Sequence, residues 1–69
     1  MVYIVALVDR GEVRHKWYYD EDRYIDACTQ LQNLLHAFSE VDEVCPILLK
    51  VHRQELQVPF KSLLCQYVL

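Results

Sequence analysis

The chain has 69 residues, 54% of them hydrophobic, a formal net charge of −3, one Gly and two Pro. That length holds one domain and leaves no room for a second core, and the composition excludes a disordered chain. The apolar content exceeds what so small a domain readily hides, so either an exposed apolar patch or a covering partner is expected.

Val2 to Val8 (V-Y-I-V-A-L-V) is apolar on both alternating faces and rich in β-branched residues. It reads as a central strand, covered on both sides. It is too short for a signal-peptide core or a membrane span, and Asp9 and Arg10 close it. Asp9-Arg10-Gly11 reads as a turn, using the only Gly for a positive φ. Glu12 to Tyr19 alternates strictly, with Glu12, Arg14, Lys16 and Tyr18 on one face and Val13, His15, Trp17 and Tyr19 on the other. That pattern predicts a half-buried antiparallel strand, completing a hairpin.

Asp20 suits an N-cap, and Glu21 and Asp22 suit the first turn of a helix, where the dipole favours anions. Tyr24, Cys28, Leu31, Leu35 and Phe38 then recur at helical spacing, widened by Ala27 and Leu34. The spacing predicts an amphipathic helix ending near Phe38 to Glu40, with Leu31 and Leu35 facing the core. Ser39 to Glu43 is an acidic loop or a last turn.

Cys45-Pro46 opens a third strand, which alternates through His52. Arg53 to Glu55 reads as a turn into a fourth strand, with Leu56, Val58 and Phe60 alternating against Gln57, Pro59 and Lys61. Pro59 confines that strand to an edge. Ser62 to Leu69 suits either a short helix capped by Ser62 or a continuing strand. The fold class expected is therefore α+β and ββαββ-like: one amphipathic helix on one face of a small, mostly antiparallel sheet, with a C-terminal helix or strand. A right-handed crossover puts the first strand in the middle and leaves the second and third parallel.

Charge is unevenly spread. Asp20 to Glu43 holds seven acids and one base, whereas the segments on both sides are mildly basic. Such a split steers partners without naming a reaction. The acids Asp22, Asp26, Glu40, Asp42 and Glu43 are expected to form a docking surface for a basic protein partner. Small acidic proteins of phages and mobile elements often act as inhibitors or regulators in this way, an analogy of size and charge. The alternative is a nucleic-acid binder, in which Tyr18 stacks bases and Arg14, Lys16 and Lys50 reach phosphates. The remaining apolar residues predict a two-fold homodimer with Leu63, Leu64, Tyr67 and Val68 at its interface.

Catalysis is not expected. The sequence has no phosphate-binding, dinucleotide, nucleophile-elbow or zinc-protease motif. His15, His36 and His52 lie on three different elements with no ligand spacing between them. The acids near Asp20 lack the Gly bend of a calcium loop, so no metal or cofactor is expected. Cys28, Cys45 and Cys65 form no C-x-x-C pair, and an odd count without a secretory leader predicts buried, reduced thiols in the cytoplasm.

Overall fold

The computed structural model describes residues 1–67, and the side chains of residues 1–63. The chain runs β1 (Val2–Asp9), β2 (Glu12–Asp20), a 3-10 turn, α1 (Tyr24–Ala37), β3 (Val44–Val51), a second 3-10 turn and α2 (Phe60–Tyr67). The sheet order is β2-β1-β3, with β1 antiparallel to both neighbours. The doubly apolar strand is therefore central, and β2 and β3 are parallel to each other, as expected.

A tight turn joins β1 to β2. Both of its central residues have positive φ, Arg10 at 53° and Gly11 at 81°. This is the primed geometry whose twist matches the flanking strands. A left-handed conformation is costly for Arg10. Its anchoring offsets that cost: its N–H donates to the Glu43 carbonyl at 3.1 Å, and its guanidinium reaches Glu43 Oε2 at 2.8 Å. The hairpin tip is thereby tied to the loop after α1.

The alternation expected of β2 breaks once. Leu7 pairs with His15 but Val8 pairs with Val13, so Arg14 is the extra residue of a β-bulge. A bulge shifts every residue beyond it to the opposite face. Val13 therefore joins Val8 on one face, while His15, Trp17 and Tyr19 stay with Leu7, Val5 and Tyr3 on the other.

Each face of the sheet has its own core. On one, Val5 packs with Ala27 and Leu34 of α1, ringed by Tyr3, Leu7, Trp17, Tyr19, Leu31, Phe38 and Leu48. On the other, Val2, Ile4, Leu49 and Val51 pack with Leu63 of α2, flanked by Ile47 and Phe60. The molecule is a sheet between two helices.

Three expectations need correcting. Asp20 does not cap the helix. It ends β2, and its Oδ1 accepts a 2.9 Å hydrogen bond from Arg53 instead. The fourth strand does not form. Arg53–Gln57 is a 3-10 turn closed by a capping box, in which the His52 N–H donates to Glu55 at 3.0 Å. Pro59 has no N–H for a ladder, and its carbonyl accepts the Ser62 and Leu63 N–H groups as α2 begins. Of the two readings of the C-terminal segment, the structure takes the helix. It starts at Phe60, two residues before Ser62.

The third correction concerns the α1 stripe. Its buried line is Ala27 and Leu34, with Leu31 half-buried and Leu35 49% exposed. Ala27 adds little bulk, so the helix backbone settles close over Val5. That rotation swings Tyr24, Cys28 and Leu35 toward β3. Leu34→Ala is thus expected to cost roughly 2–5 kcal/mol, and Leu35→Ala about 1 kcal/mol or less. Urea melts of the two variants check the order. Equal losses would mean that the helix is seated on the other flank.

Candidate partner-binding surface

Among the described residues, the most exposed large apolar side chain is Ile25, at 79%, in the first turn of α1. Helical geometry at 100° per residue puts it on the outer side of the helix, away from the sheet. Tyr24 and Leu35 are about half exposed on the adjoining flank, over β3. The Tyr24 ring lies 4.8 Å from that of Tyr3, tilted by 51°. Together with Leu48 and Lys50 these rings line a shallow open depression. Hydrogen bonding and the electrostatic field of the neighbouring Cys28 hold the Tyr24 phenol above its usual pKa.

The five acids expected to form one surface fall at the two ends of this apolar stripe. Asp22 and Asp26 sit at the start of α1, and Glu40, Asp42 and Glu43 follow its end. The helix between them is roughly 21 Å long at 1.5 Å per residue. Two of the five are engaged at home. Asp26 accepts a 2.9 Å hydrogen bond from Arg23 and thereby raises the pKa of that guanidinium. Glu43 holds Arg10. Asp22 contributes only a weaker field at Arg23. Glu40 and Asp42 make neither hydrogen bond nor ion pair among the described residues. The free acids are thus Asp22 at one end and Glu40 and Asp42 at the other, with Ile25 and the exposed helix between them.

The basic and aromatic set is dispersed. Lys16 and Tyr18 point to the α2 side, where the Lys16 ammonium lies 4.9 Å from the Phe60 ring and 6.0 Å from that of Tyr18. Arg14, the bulge residue, reaches Asp9 at 3.4 Å and Glu12 at 3.7 Å. Lys50 lies on the other face and the other edge, 5.9 Å from the Tyr3 ring. No single face presents all four. A groove lined by Tyr18, Tyr19, Arg23 and Arg53 is no freer for an anion, because its arginines already bind Asp26 and Asp20.

Of the residues expected at a dimer interface, Leu63 is buried against its own sheet at 1% exposure. The side chains of Leu64 and Tyr67, and the whole of Val68, lie outside the described residues. Cys45 is exposed and Cys28 half-buried, rather than both fully buried. His15 stacks on Trp17 at 4.4 Å, His36 is exposed and His52 caps the second 3-10 turn.

Sequence reasoning missed Ile25. The available signal was a lone β-branched residue off the apolar stripe, between Asp22 and Asp26. Tyr24 and Leu35 were assigned to the buried stripe, and only the seating of the helix exposed them. Among the described residues no three His, Cys, Asp or Glu side chains cluster to hold a metal ion, and no helix is long and apolar enough to cross a membrane. Compared with known proteins, the chain matches no family model, no curated protein and no solved structure.

Proposed function

We propose that this chain is a non-catalytic protein-binding module that docks a basic partner on the outer side of α1. The observation that carries this reading is Ile25, 79% exposed on a regular helix beside the unpaired Asp22, with Glu40 and Asp42 unpaired beyond the far end of α1. An apolar anchor with a charged rim is the arrangement of a binding hot spot: the anchor supplies affinity once desolvated, and the rim supplies steering and selectivity. An exposed helix inserted into a partner's groove presents its side chains in this way. Size and acidity fit an inhibitor or regulator of the phage or mobile-element type, acting in the cytoplasm, where unpaired thiols persist.

The test is recovery of the partner from the native cell on immobilised chain. The wild type is expected to retain a basic protein, with affinity falling as salt rises. Ile25→Lys removes the anchor without touching the core, and should weaken retention at least about tenfold, the scale of a hot-spot loss. Equal retention by Ile25→Lys and by Asp22→Lys would reject this surface. Retention of nucleic acid alone, with a steep salt slope, would favour the alternative reading.

A further inference from the structure

Arg10 fills a turn position that other residues fill at less cost. It is the first of the two central turn residues with positive φ, at 53°, where asparagine or glycine is favoured. Either of those would still donate its N–H to the Glu43 carbonyl, as Arg10 does at 3.1 Å. What arginine adds is the guanidinium. Its Nη2 and Nε reach Glu43 Oε2 at 2.8 and 3.2 Å, and Nε lies 3.8 Å from Asp9. One hydrogen bond lets a loop pivot about it. Held at main chain and side chain together, Glu43 is fixed in orientation as well as in distance.

The loop clamped in this way has few other anchors. Residues 39–43 are shaped by local turn bonds, Ser39 N–H to the His36 carbonyl at 3.4 Å and Val41 N–H to the Phe38 carbonyl at 3.1 Å. Among the described residues, each hydrogen bond that reaches this segment from outside the α1–β3 connection comes from Arg10. The tip of the loop is Glu40-Val41-Asp42. Val41 is 43% exposed, and the carboxylates on either side of it are the two free acids at this end. The pairing of an exposed apolar side chain with free acid, seen in Asp22 and Ile25, thus recurs beyond the other end of α1.

We infer that Arg10 is a positioning residue for the docking surface: by clamping Glu43 it holds Glu40, Val41 and Asp42 in the orientation in which the basic partner meets them. The inference rests on the reading of α1 as the docking helix, and the occupant is the same basic partner, matched by charge. Groups oriented before binding need less ordering on association, and oriented rim charges set steering and register.

Positioning and net charge make opposite predictions for one variant. Arg10→Asn keeps the turn and its backbone bond, breaks the guanidinium contact, frees Glu43 and makes the chain one charge more negative. Glu43→Gln loses the same charged contact and makes the chain one charge less negative. If the loop acted through charge alone, a basic partner would bind Arg10→Asn more tightly and Glu43→Gln more weakly.

The probe is the basic protein retained on the immobilised wild-type chain, purified and titrated by calorimetry. Both variants are expected to bind it about threefold to tenfold more weakly, the scale of one or two oriented surface charge contacts, and to melt close to the wild type. Arg10→Gly suits the turn equally and serves if Arg10→Asn does not fold. Unchanged or tighter binding by Arg10→Asn overturns the inference. So does weaker binding with a much lower melting temperature, which would make Arg10 a structural residue only. If Ile25→Lys weakens binding and Arg10→Asn does not, the docking helix stands and the clamp alone fails. If neither weakens it, the reading of α1 fails and the clamp with it.

Discussion

Ile4→Ala is expected to remove a large share of the chain's stability at room temperature. Ile4 is fully buried in the central strand, packed with Val2, Leu49, Val51 and Leu63. Truncating such a side chain costs roughly 2–5 kcal/mol, through lost transfer energy and the cavity left behind. A chain of this length has a total stability on the order of 3–10 kcal/mol, so one substitution removes much or all of it. Ile4→Val deletes a single methylene group and should cost only about 0.5–1.5 kcal/mol. Urea denaturation followed by circular dichroism gives both values. A loss below about 0.5 kcal/mol for Ile4→Ala, the size of an ordinary surface effect, is incompatible with this face being a core.

The second large effect is expected at Leu63, the described residue of α2 most deeply set into the sheet, at 1% exposure. The helix has eight residues, too few to be stable in isolation. It persists by packing, so loss of its anchor releases it. Leu63→Ala should cost roughly 2–5 kcal/mol. Leu63→Asp should cost more, because an unpaired carboxylate resists burial. Release of α2 uncovers Ile4, Leu49 and Val51 together. The Leu63→Asp variant is therefore expected to bind a hydrophobic dye and to aggregate at concentrations where the wild type stays clear. A variant that melts like the wild type and binds no dye would show that α2 is not needed to close this face.

The two effects meet on one face of the sheet, and they bear on self-association. From apolar content alone, that face called for cover either by a C-terminal helix folded under the sheet or by a second copy through the C-terminal segment. In the structure α2 supplies cover from within the chain, using Leu63 and Phe60. What remains uncovered is the β3 edge and the flank of α1 above it. Where that cover comes from followed from the packing of α2 on this face.

Local patterns in the chain determined much of the architecture. Period-two alternation, one Gly and two apolar faces are enough to specify a hairpin whose first strand is central. A run of apolar residues at steps of three and four specifies one helix after it. These are short-range signals, since the side-chain period of an element is set by its own backbone geometry. The handedness of crossovers then leaves one placement for β3.

Only the tertiary structure decided the rest, and in each case a contact distant in sequence was responsible. Arg53 reaches back 33 residues to Asp20, so the chain crosses the end of the sheet and Leu56 to Phe60 form no strand. The bulge at Arg14 exists because β1 and β2 slip by one residue between Leu7 and Val8, which strict alternation conceals. The five acids are close in sequence as two groups, yet the length of α1 separates those groups, and Arg10 and Arg23 occupy two of the five. Ile25, Tyr24 and Leu35 became a surface because a helix buries only the arc that meets its sheet, and small Ala27 chose that arc. Periodicity identifies which residues share a side of a helix. The rotation of that side against the sheet is a property of packing between elements, and no single stretch of the sequence contains it.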